Sequence, residues 1–255
     1  MPPRIRVMLV VVTCVALGLA LGACVVSSPK GGQTPSPTSR PISTETPPAD
    51  TFYFTTEDGV TLNGQTTGGG KTAIVFSNGQ TVPKFFWLPV AQRLASQGYL
   101  CLLYDYRGIP PSQGRDDLSR RDSDLRAAVA AARARGATAV VLVGASFGGT
   151  LALALTAQIQ PKAVVILSAP QSADAFGVSE TDLKALTIPK LFLASQDDTQ
   201  YVGAVQRMYD QSPEPKQIHI FPGKNHGDSI LTAADTGSEA MALVDAFLHT
   251  YAPAT

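Results

Sequence analysis

The sequence predicts an α/β domain in which a mostly parallel, eight-stranded sheet carries helices on both faces. The first observation is that strand-like apolar runs alternate with helical patterns beyond residue 70. The second is composition: 44% of the 255 residues are hydrophobic and 16% are charged, which is typical of a globular protein and excludes a disordered or fibrous chain. The third is charge, because 20 Lys and Arg balance 20 Asp and Glu, leaving no basic excess for nucleic-acid binding.

The elements follow in order from residue 51. A hairpin opens the domain, since strand-like runs at 51–56 and 60–65 flank the turn sequence Glu57-Asp58-Gly59. The later strands are runs rich in β-branched and other apolar residues, at 71–77, 99–104, 139–143, 163–167, 190–194 and 217–221. The helices have apolar or alanine-rich helical patterns, with glycine after the first two, at 86–97, 123–134, 150–158 and 238–251.

A G-x-S-x-G motif follows the strand at 139–143, with Ser146 at its centre. Ligands of parallel sheets bind beyond the carboxyl ends of the strands, so this loop lies where a site is expected. A serine on a sharp turn between a strand and a helix projects its hydroxyl, and the amides at the helix start favour developing negative charge. The alternative is a glycine-rich turn with an incidental serine. We interpret Ser146 as a nucleophile.

A serine nucleophile needs a base, and the chain has three histidines. His219 lies within the last predicted strand and His249 within the last predicted helix, where structural or surface roles are expected. His226 lies in the loop after that strand, at the same end of the sheet as Ser146. His226 is therefore the predicted base.

The acid that orients the histidine is expected after a strand between Ser146 and His226. The strand at 190–194 is followed by two adjacent carboxylates, Asp197 and Asp198. Neighbouring side chains point in different directions, so at most one of them can orient the imidazole. Asp174 and Asp182 are weaker candidates.

The order Ser146, Asp198, His226 resembles that of the α/β-hydrolase superfamily, and the resemblance covers residues 52–251. The run Ser77-Asn78-Gly79-Gln80 is similar to the family's His-Gly oxyanion turn, with Asn78 in place of His. The run 104–108 (YDYRG) is similar to its Asp-x-Arg-Gly turn, although the Gly-x-Ser that usually follows is replaced by Ile-Pro-Pro-Ser.

The resemblance implies an α/β-hydrolase fold and a covalent acyl-enzyme mechanism, with Ser146 as nucleophile, His226 as base and Asp198 as the acid. In the family, the acid usually stands three residues after a small residue that ends the strand. Counting from Ser195, this rule selects Asp198 over Asp197. The amides of Gln80 and Phe147 are implied as the oxyanion hole. Related dehalogenases and epoxide hydrolases use Asp as nucleophile and dienelactone hydrolases use Cys, so a serine disfavours all three.

The expected function is that of a serine hydrolase, most of all a carboxylesterase on a small-molecule ester or short-acyl substrate. The alternatives are a peptidase or thioesterase with the same machinery, or a catalytically silent binding module of the cell envelope. No cofactor is expected, and three Cys with three His argue against a structural zinc site. The sequence does not indicate the oligomeric state.

Two sequence features bear on the substrate pocket. Only about 20 residues, 168–189, separate the strands between which larger relatives insert a lid domain, so no large lid is expected. The aromatic run Phe85-Phe86-Trp87 follows the oxyanion turn. It is interpreted as helix core, with a lining of the acyl pocket as the alternative.

The first 50 residues predict export and anchoring. Residues 1–23 have two arginines before a long apolar run, the plan of a secretory signal peptide. The run ends in Leu-Gly-Ala-Cys, which resembles the lipobox of bacterial lipoproteins and predicts lipidation of Cys24. An uncleaved membrane anchor is the alternative. Residues 24–50 are rich in Ser, Thr and Pro and are interpreted as a tether to a domain at 51–255. The expected location is extracytoplasmic, lipid-anchored to the bacterial cell membrane.

Overall fold

The computed structural model describes residues 51–255, so the predicted signal peptide, the lipidation of Cys24 and the tether lie outside the described residues. Ten strands occur in this part of the chain. They are β1 Thr51–Thr55, β2 Thr61–Gly68, β3 Thr72–Ser77, β4 Leu100–Tyr104, β5 Ala139–Ala145, β6 Ala163–Leu167, β7 Ser172–Ala173, β8 Phe176–Gly177, β9 Lys190–Ser195 and β10 Lys216–Phe221.

The helices alternate with these strands, and the first is preceded by a 3-10 turn at Lys84–Trp87. They are α1 Leu88–Ala95, α2 Arg121–Ala134, α3 Phe147–Ala154, α4 Thr156–Ile159, α5 Glu180–Ala185, α6 Val202–Gln211, α7 Ser229–Thr232 and α8 Gly237–Tyr251; a second 3-10 turn, Leu118–Arg120, leads into α2. None of the helices between residues 51 and 255 has the length and apolar character needed to cross a membrane.

Eight of the strands form one sheet in the order β1-β2-β4-β3-β5-β6-β9-β10. The first two pairings, β1 with β2 and β2 with β4, are antiparallel, and all the others are parallel. Strands β7 and β8 form a separate two-stranded hairpin. The predicted fold class, a mostly parallel eight-stranded sheet, is confirmed.

Both faces of the sheet are covered, because the central strands are apolar on both sides. In β5, Val140 and Leu142 belong to a core with α2, α3 and α6. Val141 and Val143 pack into a second core with α1, α7 and α8. Cys101 is buried in the second core, and burial raises the pKa of its thiol to about 12.

The structure differs from the sequence expectation in the bounds of one helix and in several short elements. The helix predicted at 150–158 begins earlier, at Phe147 directly after Ser146, and is divided into α3 and α4. Glycines 148 and 149 disfavour a helix in sequence, yet they lie in its first turn. No sequence pattern predicts the β7–β8 hairpin or α6, whereas the segment 168–189, which has room for one short helix, contains α5. A readable signal existed for α5, since Ser179 and Asp182 form a capping box at its start.

Candidate active site

Ser146 stands on a sharp turn between β5 and α3. Its backbone has φ 53° and ψ −125°, a conformation that residues with a side chain rarely adopt. Its amide donates to the carbonyl of Leu167 at 2.8 Å, which ties the turn to the neighbouring strand β6. The side chain is half-buried at the carboxyl edge of the sheet. The turn therefore presents a hydroxyl at the first turn of a helix.

The glycines flanking Ser146 are required by close backbone approach. A Cβ placed on Gly144 would lie 2.5 Å from the carbonyl oxygen of Gly148. A Cβ placed on Gly148 would lie 2.1 Å from the carbonyl oxygen of Ser77 and 2.4 Å from that of Asn78. The start of α3 thus packs directly against the backbone that follows β3.

His226 and Asp198 form a hydrogen-bonded pair. The Nδ1 atom of His226 lies 2.8 Å from Oδ2 of Asp198. The Asp198 side chain is 10% exposed and that of His226 is 38% exposed, so water reaches the imidazole more easily than the carboxylate. Asp197 is exposed, and its amide donates to the carbonyl of Gly223 at 2.8 Å. Of the two adjacent carboxylates, Asp198 is the one that contacts the histidine.

Ser229 and Tyr201 hold His226, and sequence reasoning missed both. The Ser229 hydroxyl accepts from the His226 amide at 2.9 Å and donates to the His226 carbonyl at 2.7 Å. The ring of Tyr201 packs against the imidazole with 4.3 Å between centroids. A Cβ on Gly227 would lie 3.2 Å from the Cβ of Ala145, so this loop is adjacent to the turn that carries the serine.

The turn after β3 is anchored to β4 and to Tyr106 by its own side chains. The side-chain amide of Asn78 donates to the backbone carbonyl of Tyr104 at 2.6 Å, and the hydroxyls of Ser77 and Tyr106 lie 2.7 Å apart. A Cβ on Gly79 would lie 4.0 Å from the Cβ of Ser146. The turn that ends in Gln80 therefore lies beside the serine.

The two predicted oxyanion donors are available. Across residues 51–255, no protein acceptor takes a hydrogen bond from the backbone amide of Gln80 or of Phe147. The Phe147 amide belongs to the first residue of α3, where helix amides have no partner within the helix. Within the described part of the chain, both amides are therefore without a protein acceptor, one in the residue after Ser146 and the other in the turn beside it.

Arg121, the first residue of α2, is a buried cation close to this turn, and no sequence signal marked it. Its side chain is fully buried. Nη1 donates to the carbonyl oxygen of Gln80, and Nη2 pairs with Asp116 at 2.7 Å. The guanidinium carbon lies 4.4 Å from the ring centroid of Tyr106 and 5.4 Å from that of Phe147. One side chain thus contacts both candidate oxyanion residues.

The loop with the altered Asp-x-Arg-Gly sequence has a structural role. Arg107 pairs with the buried Asp124 and with Asp58, and hydrogen bonds from Arg107 hold the pKa of the Asp58 carboxyl well below its usual range. The Ser112 hydroxyl, at the end of the same loop, donates to the backbone carbonyl of Asp105 at 2.7 Å and accepts from the backbone amide of Asn63 at 2.8 Å. Ser112 thereby fastens the loop to strand β2.

The other candidate acids and bases lie apart from this pair. His219, on β10, faces Glu239 at 3.3 Å, and His249 is exposed on α8. Asp182 caps α5, and Asp174 is exposed in the turn of the β7–β8 hairpin.

The three aromatic residues after the oxyanion turn differ in burial. Trp87 is fully buried and packs against Phe76 with 5.0 Å between ring centroids, as the core interpretation predicts. Phe85 and Phe86 instead stack on each other and are exposed. The core interpretation is therefore wrong for these two side chains, because a 3-10 turn directs them to the surface.

The segment between β6 and β9 is small. It contains the β7–β8 hairpin and α5, and Phe176 of the hairpin packs edge-on against Phe147 at 6.0 Å.

Three surface cavities, of about 480, 570 and 610 Å³, are lined by residues other than Ser146, Asp198 and His226. Among residues 51–255, no group of three or more His, Cys, Asp or Glu side chains is arranged to hold a metal ion.

The chain is similar to known proteins in both sequence and fold. The sequence model of the alpha/beta hydrolase family matches residues 74–214. An uncharacterized protein of Mycobacterium tuberculosis is 26% identical over 78% of each chain. The quorum-quenching protein AidA of Acinetobacter baumannii is 34% identical over 60% of this chain and 50% of its own length. An esterase of Pyrococcus furiosus superimposes with a TM-score of 0.69 at 19% identity, covering 79% of this chain and 90% of the esterase, a likeness of fold.

Proposed function

The chain belongs to the alpha/beta hydrolase family, and on that premise we propose that it is a serine hydrolase acting on carboxylic esters through Ser146, His226 and Asp198. The observation that carries the proposal is the constellation at one edge of the sheet. Ser146 stands at φ 53°, two free amides lie next to it, and His226 is hydrogen-bonded to Asp198 at 2.8 Å. A positioned nucleophile, a base with an orienting acid and oxyanion donors are the parts that acyl transfer requires.

In the proposed acylation step, the Ser146 oxygen attacks the ester carbonyl carbon while Nε2 of His226 takes the hydroxyl proton. The carbonyl π electrons move to the oxygen, and the amides of Gln80 and Phe147 stabilise the resulting anion. Collapse of this intermediate expels the alcohol oxygen, which receives the proton from His226. Asp198 accepts from Nδ1–H throughout, so it fixes the tautomer and stabilises the imidazolium. The products are the alcohol and an acyl-Ser146 ester.

In the proposed second step, water replaces the alcohol. His226 takes a proton from the water as its oxygen attacks the acyl carbon, and the intermediate again places its charge at the two amides. Collapse breaks the bond to the Ser146 oxygen, which recovers its proton from His226. The acid leaves and the enzyme is restored.

The proposed substrates are small or short-acyl esters. The small β7–β8 hairpin and α5, in the position where a lid would be inserted, support this because they offer little apolar cover for a long chain. The names of the relatives support ester chemistry: one is an esterase, and another solved structure, 18% identical, is that of an enzyme degrading N-acyl homoserine lactones. A lactone is a cyclic ester, so the same steps open it.

The proposal includes anchoring outside the cytoplasm through a lipidated Cys24. The support is the sequence alone, namely the basic and apolar leader, the Leu-Gly-Ala-Cys run and the Ser/Thr/Pro-rich stretch before residue 51. Two or three acyl chains, at about 0.8 kcal/mol per buried methylene, would hold the domain firmly at a membrane surface.

A fluorophosphonate probe followed by peptide mapping tests the catalytic proposal. We expect a single adduct on Ser146, lost in Ser146→Ala and retained in Ser172→Ala, a matched change at an exposed serine of the hairpin. A parallel panel would compare short p-nitrophenyl esters, an N-acyl homoserine lactone, thioesters and peptide amides. Labelling together with cleavage of only thioesters or amides would replace the esterase assignment. A folded protein that neither reacts nor cleaves would be a binding module.

A further inference from the structure

Arg121 is a buried charge that the acyl-transfer steps above do not use. Its side chain is fully buried at the start of α2, although arginine is rarely buried without partners. The ion pair with Asp116 does not explain the burial, since the Asp116 carboxylate is itself 54% exposed. The remaining contacts of the guanidinium are with the carbonyl of Gln80 and the rings of Tyr106 and Phe147.

These contacts reach both sides of the proposed oxyanion hole. On one side, Nη1 donates to the carbonyl oxygen of Gln80, which fixes the backbone of the residue whose amide is one donor. On the other side, the guanidinium lies over the ring of Phe147, whose amide is the second donor, at 5.4 Å. It also lies 4.4 Å from the ring of Tyr106, whose hydroxyl holds Ser77 at the start of the same turn.

We propose that Arg121 is the positioning residue of the oxyanion hole, setting the Gln80 turn at a fixed distance from the first residue of α3. The inference rests on the proposed function, because it assigns Arg121 a role in that reaction. Arg121 acts through the backbone of Gln80 and the ring of Phe147, since a fully buried side chain does not reach substrate.

The planar fork of arginine suits this position. One nitrogen bonds Gln80, another bonds Asp116, and the guanidinium carbon lies 4.4 Å and 5.4 Å from the ring centroids of Tyr106 and Phe147. A lysine ammonium is a compact point charge and cannot make this set of contacts together. Charge and positioning are thus separable by substitution, because Arg121→Lys keeps the charge and loses the geometry.

The test measures oxyanion stabilisation apart from substrate binding. Benzeneboronic acid forms a tetrahedral adduct in which the Ser146 oxygen bonds to boron, and one boron-bound oxygen occupies the oxyanion hole. Its inhibition constant would be compared with kcat and KM for p-nitrophenyl acetate in wild type, Arg121→Lys and Arg121→Met. Arg120→Met is the matched control, since this neighbouring arginine is exposed and pairs with Asp58.

Removing one oxyanion donor costs about 10²- to 10³-fold in kcat, so loosening the donors should cost about 10- to 100-fold. We expect both Arg121 variants to lose that factor in kcat and in boronate affinity, with KM changed less than about threefold and the thermal transition still cooperative. Arg120→Met should behave as wild type. Arg121 variants with wild-type kcat and boronate affinity, or full recovery in Arg121→Lys, would overturn the positioning role.

A second variant covers the case in which Arg121→Met does not fold. Asp116→Ala removes one of the two hydrogen-bond partners of the guanidinium at an exposed position, and it should weaken boronate affinity about two- to fivefold. Unchanged affinity there would contradict the proposal. If the wild-type protein neither labels with fluorophosphonate nor hydrolyses any ester, the proposed function itself fails; wild-type activity with insensitive Arg121 variants refutes this inference alone.

Discussion

Replacing Asp198 by Asn is expected to lower kcat by at least 10³-fold, whereas Asp197→Asn should leave it within about twofold. The Asp198 carboxylate accepts from Nδ1 of His226 at 2.8 Å and is 10% exposed, so it faces the imidazolium that forms during the reaction. Asp197 is exposed and is held only through its backbone amide. The two substitutions are chemically identical and one residue apart, which makes each the control for the other.

The magnitude follows from charge and tautomer. Two unit charges about 4 Å apart interact by about 4 kcal/mol at an effective dielectric constant of 20, and each 1.36 kcal/mol is tenfold in rate, so losing the carboxylate charge alone costs about 10³. An amide at 198 also offers N–H to Nδ1 and favours the wrong tautomer, which moves the loss toward the roughly 10⁴ known for such triads. Because His226 is partly exposed, water compensates for part of this loss in kcat.

The assay is steady-state hydrolysis of p-nitrophenyl acetate, with active sites counted by fluorophosphonate titration so that kcat refers to folded enzyme. Equal losses in the two variants would mean that the effect is general electrostatics. A larger loss in Asp197→Asn would refute the assignment of the acid and the register of the loop after β9.

Three further outcomes are expected. Short esters, about acetyl to hexanoyl, should have higher kcat/KM than dodecanoyl esters, with no rate jump above the micelle concentration, because little apolar cover is present to bury extra methylenes worth about 0.8 kcal/mol each; a profile peaking at long chains would indicate a lipase. Mass spectrometry of the native protein should find a lipid-modified Cys24 as the first residue, and an N-terminus at Met1 would contradict export as a lipoprotein. Asp58→Asn should lower Tm at pH 7, and the gap to wild type should close as pH falls below about 4. The pKa of the Asp58 carboxyl is held low by Arg107, so its contribution to stability is present above the unfolded pKa and disappears in acid; a gap that is independent of pH would exclude this ion pair as the cause.

Much of the fold could be predicted because its signals are local. Strand β6 is a continuous run of buried apolar residues, and β5 and β9 are mostly buried and apolar. The loops that follow β5 and β9 contain the sequence signals that mark Ser146 and Asp198. The start of α3 was misplaced because Gly148 and Gly149 disfavour helix, while close packing against neighbouring backbone demands glycine there.

Other parts of the site depend on contacts that no local pattern records. Arg121 contacts the carbonyl of Gln80, which is 41 positions away in sequence. Tyr201 precedes α6 and contacts the ring of His226, which lies in the loop after β10. In sequence, Arg121 is one of several charged residues at the start of a polar helix, and such residues are ordinarily solvated. Its burial follows only from the tertiary arrangement of α2 beside the turn after β3.

The contact of Gly148 with the carbonyl oxygens of Ser77 and Asn78 limits how this protein can evolve. Any other residue at 148 would drive α3 away from the β3 turn, and both candidate oxyanion amides lie at that junction. Under the proposed function, mutations at 148 are therefore expected to impair acyl transfer, so they offer no gradual route to a new substrate. The exposed Phe85–Phe86 pair is not tied to that junction by such a backbone contact, and under the proposed function it is a segment in which substrate preference can change while the chemistry is retained.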